Sequence, residues 1–108
     1  MDWYGIRNIY LFKVKADGTN VFEERIVCIQ AETEQEAHQK GLRESEEYSD
    51  ANGFESGSQQ DAYRQDGDPL IDGYEVYSQL FESPESLEEF YENRYNRYKY
   101  YPDETNHN

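Results

Sequence analysis

The chain has 108 residues and carries 24 Asp and Glu against 10 Lys and Arg, for a formal charge of −14 and a sequence pI near 4.3. Phosphate backbones and anionic membrane surfaces both repel such a chain, which argues against direct nucleic-acid binding and against a membrane partner. Its length suits one domain, expected over residues 1–101, with a disordered polar tail at residues 102–108. Leu, Ile, Val and Phe together supply 19 residues, a supply low enough to suggest disorder, but 11 Tyr and one Trp argue for a folded core that leans on tyrosine rings. The longest apolar run is Ile26 to Ile29, and the first residues lack the basic and apolar regions of a signal peptide, so a cytoplasmic protein is expected. Cys28 is the single cysteine, which excludes an internal disulfide.

The acidity is local. Residues 1–31 hold four acids and four bases, residues 32–75 hold thirteen acids and three bases, and the remainder holds seven acids and three bases. A surplus of −10 in the middle segment exceeds what solubility requires.

Trp3 to Lys15 and Asn20 to Ala31 are rich in β-branched and aromatic residues, and Asp17-Gly18 between them signals a two-residue hairpin turn. That turn would set Val14 opposite Val21, Ile6 opposite Ile29 and Tyr4 opposite Ala31. One face is then Tyr4, Ile6, Tyr10, Phe12, Val14, Val21, Val27 and Ile29. The other holds Trp3, Ile9, Leu11, Phe22, Ile26 and Cys28, so both faces call for a cover, from the chain or from a partner. In this strand Cys28 is expected to be buried and inert.

Thr33-Glu34-Gln35-Glu36 has the form of a capping box and opens a helix expected to reach Tyr48. Its stripe of Ala37, Gly41 and Tyr48, with Ser45 alongside, is mostly small and would let the helix approach a sheet closely. His38 flanks that stripe, where a packing role is expected. Ser49 to Asp68 is rich in Gly, Ser, Asp and Gln and reads as a long loop with a short strand near Ala62 to Arg64. Gly73 to Phe81 alternates like a further strand. Ser83-Pro84-Glu85 then predicts the start of a second helix that runs to Tyr98, with Leu87, Phe90, Tyr91, Tyr95 and Tyr98 along one side and Arg94 among them as a stacking or interface residue. The fold class is α+β: an antiparallel sheet of three to four strands, built on an N-terminal β-hairpin, then a helix, a strand and a C-terminal helix.

No nucleophile context, phosphate loop or paired metal motif is present, and no cofactor is expected. Asp66-Gly67-Asp68 with Asp72 resembles the start of a calcium loop, but Pro69 and the absence of a Glu at the twelfth position depart from that pattern. The carboxylates left over point to binding of a basic protein. The candidate partner-binding residues are Glu44, Glu46, Glu47, Tyr48 and Asp50, with Tyr63, Asp66, Asp68 and Asp72 farther along.

Trp3-Tyr4-Gly5-Ile6-Arg7, Phe22-Glu23-Glu24-Arg25-Ile26-Val27 and Ala31-Glu32-Thr33-Glu34-Gln35-Glu36-Ala37 together resemble a small bacterial domain of unknown function. Its members look similar in opening with a Trp-Tyr-Gly/Ala-Val-Arg strand, followed by a Phe-Glu-Glu strand and a Ser/Thr-capped helix. The resemblance covers roughly the first 40 residues. It implies an α+β fold and a bacterial or phage source, and it brings no catalytic residues. Small acidic bacterial proteins of this kind are similar to immunity proteins. The leading expectation is therefore a non-enzymatic, immunity-type inhibitor of a cognate basic toxin, such as a nuclease. A phage-type DNA mimic and a metal-assisted enzyme are the alternatives.

Overall fold

The computed structural model describes residues 1–65, 72–73, 75–77 and 79–101. Residues 1–78 group into one compact unit and residues 79–108 into a second. The first unit contains strand β1 (Asp2–Val14), strand β2 (Asn20–Ala31), helix α1 (Glu34–Asn52) and strand β3 (Glu55–Arg64). Its sheet is antiparallel throughout, in the order β2-β1-β3.

The hairpin forms where the sequence places it, in a different register. Gly18 N–H donates to the Lys15 carbonyl, Lys15 N–H donates to the Thr19 carbonyl, and Gly18 sits at φ 89°. The turn therefore holds three residues, with glycine at the left-handed position that a β-branched residue could not take, and the Asp17 carboxylate accepting from the Thr19 N–H. That hydrogen bond holds the Asp17 carboxyl below its ordinary range. A bulge between Leu11 and Lys13 adds a second shift, so Tyr4 faces Ile29, Ile6 faces Val27 and Lys13 faces Val21. Expected partners are displaced by one residue beside the turn and by two from Leu11 back to Asp2. Because two is the side-chain period of a strand, the core face survives up to Tyr10. Beyond the bulge it does not, and Phe12 and Val14 are exposed.

The core is small: Tyr4, Ile6, Tyr10, Val21, Ala31 and Ala37, with Val27, Ile29 and Ala62 packed against it. Helix α1 covers it with Ala37, Gly41, Ser45 and Ser49. At Gly41 a Cβ would lie 2.8 Å from Cγ2 of Ile6, so only glycine lets the helix sit this close. The Thr33 hydroxyl accepts from the Glu36 N–H at 3.1 Å, as expected, and the Glu36 carboxylate reaches back one residue farther, to the Glu32 N–H. The helix continues four residues past Tyr48 and stops at Gly53, which takes φ 70°.

Two expected elements change. Residues 49–52 belong to the helix and residues 55–64 form a full strand on β1, so the long loop is mostly regular structure. Polar Ser, Gln and Asp residues are tolerated there because β3 is an edge strand with much of its surface in water. Conversely, the strand expected at Gly73 to Phe81 is absent among its described residues, so alternation in sequence there does not mark a strand. Cys28, expected to be buried, is exposed, because β2 turns its even-numbered side chains away from α1.

The described part of that segment explains Gly5. A Cβ on Gly5 would collide with the Val76 carbonyl oxygen and lie 3.2 Å from the Tyr77 ring. Residues 75–77 thus cross the second sheet face at Gly5, and Tyr77 stacks beneath the Arg7 guanidinium, 5.0 Å from ring centroid to Cζ. Gln65 extends the arrangement by donating its backbone N–H to the Trp3 carbonyl and its side-chain amide to the Val76 carbonyl. Part of the second face is therefore covered by the chain itself. Phe22, Ile26 and Cys28 stay exposed.

In the second unit, helix α2 (Leu87–Tyr91) runs into a π-helical turn over Glu92–Asn96. Its cap is Ser86, three residues after the expected Ser83, and the reciprocal bonds with Glu89 form a complete capping box. Arg94 lies over Phe81 and Tyr95. The expected tail at residues 102–108 lies outside the described residues.

Gly5→Ala should destabilise the first unit by about 1–3 kcal/mol, because backbone at residue 76 has to move to admit the methyl group. Thermal melting checks the loss, and hydrogen exchange at residues 75–77 should quicken more than exchange at β2; equal changes at both would remove the crossing segment as the cause.

Candidate functional site

The candidate site is the flank where α1 passes over β2. Spacing of four residues along the helix carries Glu36, Lys40, Glu44 and Tyr48 down this side. Each finds a partner. Lys40 Nζ donates to the Gln30 carbonyl at 2.8 Å and sits 3.7 Å from Glu36. Arg25 grips Glu44 through both nitrogens, at 2.8 and 2.6 Å. The Tyr48 hydroxyl donates to Glu23 at 2.6 Å.

Arg25 is the centre of this arrangement. Its guanidinium lies 3.7 Å from the Tyr48 ring centroid, so one side chain is both ion-paired and stacked. The bidentate pair with Glu44 raises the Arg25 pKa. Tyr48 in turn meets Tyr10 edge-on at 5.0 Å and Phe54 at 5.6 Å, and Phe54 contacts Phe12. Beneath them the buried Tyr10 hydroxyl shares a 2.8 Å hydrogen bond with Ser45. An aromatic cluster with satisfied hydroxyls therefore fixes the C-terminal half of α1.

The candidates divide against this geometry. Glu44 is occupied by Arg25, and Tyr48 by Glu23 and Arg25, so both hold the surface in place. Glu46, Glu47 and Asp50 are exposed and make no ion pair among the described residues. Asp50 also lies in the last turn of a helix that ends at Asn52 and has no basic residue in that turn, where the helix dipole disfavours negative charge. Tyr63 lies elsewhere. It faces Gly5 in the register, donates to Glu75 and contacts Tyr77 at 5.8 Å, which places it on the sheet face opposite α1. A single flat surface does not hold both Tyr48 and Tyr63. Asp72 is exposed beside Gly73, and Asp66 and Asp68 lie outside the described residues.

Lys40 carries no motif, and the Phe22-Glu23-Glu24-Arg25 run that carries the family resemblance gives no sign of the pairing between Arg25 or Glu23 and α1. Arg25 and Glu44 are nineteen residues apart, and only the packing of helix on strand joins them. His38 fulfils its packing role on the opposite flank, where Gln60 on β3 donates to its Nδ1 and to its carbonyl, both at 2.9 Å. Among the described residues no group of His, Cys, Asp and Glu could hold a metal ion, and no helix is long and apolar enough to cross a membrane.

Hydrogen bonding to Glu23 raises the Tyr48 pKa above the ordinary tyrosine value of about 10. Its contribution to stability is therefore complete below about pH 10 and disappears as pH rises through the higher folded value. Melting temperatures from pH 8 to 11.5 should fall more steeply for the natural chain than for Tyr48→Phe, which lacks this bond at every pH. Parallel curves would show that the bond adds no alkaline sensitivity.

No curated protein and no solved structure matches the chain. A family model matches residues 3–87, more than three quarters of its length and well beyond the hairpin. That span includes Gly5 and Val76 as well as the whole Arg25, Glu44 and Tyr48 flank. The chain belongs to the family described as Domain of unknown function (DUF4288).

Proposed function

We propose that this domain is a non-enzymatic binding protein of the immunity type, which neutralises a cognate basic toxin, such as a bacterial nuclease, in the cytoplasm. The observation that carries the reading is the uncompensated acidic end of α1. Glu46, Glu47 and Asp50 are exposed and make no ion pair among the described residues, and Asp50 is set against the helix dipole, while the neighbouring Glu44 is neutralised by Arg25. Negative charge kept where it costs the helix stability fits a surface selected for a partner. Nucleic-acid-binding sites are basic, so such a surface can occupy one, and complementary charge speeds association. Tyr48 and Arg25 support the surface, since their rings and charges are locked to the sheet.

The partner to test is the protein encoded next to this chain's gene, produced with and without it in the same cells. Growth should be restored when both are made. Glu46→Lys with Glu47→Lys should weaken the purified complex at least tenfold at 50 mM salt, with a smaller difference at 500 mM. Asp50→Lys should stabilise the isolated domain by roughly a few tenths of a kcal/mol, because it replaces an acid with a base in the last turn of the helix. Unchanged affinity at both salt concentrations would exclude the electrostatic reading.

A further inference from the structure

Seven asparagines occur in the chain, and only Asn52 is followed by glycine. In an Asn-Gly pair the side-chain amide is open to attack by the next backbone nitrogen, because no Cβ on the glycine shields that nitrogen. The attack forms a bond between Gly53 N and Asn52 Cγ, and the Gly53 peptide proton leaves with the side-chain NH2 as ammonia. A five-membered cyclic imide remains. Water then adds to either imide carbonyl and opens the ring to aspartate or isoaspartate.

Asn52 is exposed, so water reaches it, and it is the last residue of α1. The folded cap opposes ring closure in three ways. The Asn52 side-chain nitrogen donates to the Tyr48 carbonyl at 2.9 Å, which draws the amide back along the helix and away from Gly53. The Gly53 N–H, whose proton has to leave, donates to the Ser49 and Asp50 carbonyls. Phe54 locks the chain beyond it, since its N–H donates to the Ser49 carbonyl at 2.8 Å and its ring contacts Tyr48 and Phe12. All three restraints are lost together when the last turn of α1 opens. Helix ends open at far lower cost than the whole fold.

We propose that Asn52 is a site of spontaneous deamidation whose rate is set by opening of the last turn of α1. Conversion adds a carboxylate two residues beyond Asp50, at the helix end where the dipole opposes it, and exchanges the donor to the Tyr48 carbonyl for an acceptor. Isoaspartate also lengthens the main chain by one methylene, which shifts the Gly53 and Phe54 N–H groups away from the Ser49 carbonyl. The modification therefore loosens the anchor of Phe54, and through it the aromatic cluster around Tyr48. This inference does not depend on the proposed binding role.

Peptide mapping of the full chain, held at pH 8.5 and 37 °C with and without 6 M guanidinium, provides the test. In guanidinium a gain of one mass unit should appear at Asn52 before any other asparagine, as a mixture of aspartate and isoaspartate. In the folded chain the Asn52 rate should be at least tenfold lower. Asp17-Gly18, Asp66-Gly67 and Asp72-Gly73 can form the same imide but return to their original mass, so they do not interfere. Phe54→Ala should keep its circular dichroism spectrum and convert Asn52 at least threefold faster than the natural chain. Should it fail to fold, the natural chain supplies the second measurement: across sub-denaturing guanidinium, the Asn52 rate should rise in proportion to hydrogen exchange of the Gly53 amide. Asn52→Asp should melt at a lower temperature than the natural chain. Earlier conversion of another asparagine in guanidinium, equal rates in folded and denatured chain, an unaltered rate in folded Phe54→Ala or a rate uncoupled from Gly53 exchange would overturn the inference. A melting temperature of Asn52→Asp at or above the natural one would overturn the consequence for the Tyr48 cluster.

Discussion

The structure of the first unit depends on how near α1 can come to β1. Few large aliphatic residues are available, so the sheet offers Tyr4, Ile6 and Tyr10, and the helix answers with Ala37, Gly41, Ser45 and Ser49. Close approach replaces bulk: the contact surface is made by bringing backbone toward side chain rather than by interleaving long side chains. It also requires that buried tyrosine hydroxyls find partners, since an unpaired hydroxyl in such a thin core would cost more than the ring contributes. Ser45 meets this need for Tyr10, and it is small enough not to lift the helix. Serine in the stripe is thus part of the core.

Once the helix is seated, its edges become chemically different. One flank lies over β2 and is bound by Arg25, Lys40 and Tyr48 to strand carbonyls and carboxylates. The opposite flank rests on β3 through His38 and Gln60. Between them the outward side carries Glu46, Glu47 and Asp50, which make no ion pair among the described residues. The chain's large charge therefore sorts into carboxylates that hold structure, such as Glu23, Glu44 and Asp61, and carboxylates that face solvent. Composition alone cannot make that division.

Much of the fold could be read directly. The hairpin, the Thr33 cap, the small-residue stripe and the core parity up to Tyr10 all follow from local rules, and local rules are what a sequence displays. Register was harder to read. Ala16-Asp17-Gly18-Thr19 is compatible with either a two- or a three-residue turn, and nothing nearby announces the bulge at Leu11 to Lys13. β3 was hidden because its polar residues face water along an edge, while Gly73 to Phe81 imitated a strand through alternation alone. Of the candidate site, the acids of α1 were visible as a charge run. Their sorting by Arg25 was not, because it rests on contacts between residues distant in sequence.

Gly5 and Val76 meet although about seventy residues separate them. Contacts of that span close late, because the loop entropy between them must be overcome before any packing is gained. During synthesis the hairpin, α1 and β3 are all complete before residues 75–77 emerge, and until then the Gly5 region of β1 lies bare on one side. The third position of the Trp-Tyr-Gly-Ile-Arg strand is in effect an empty seat, kept open from the start of translation for a segment that arrives after the rest of the sheet has formed.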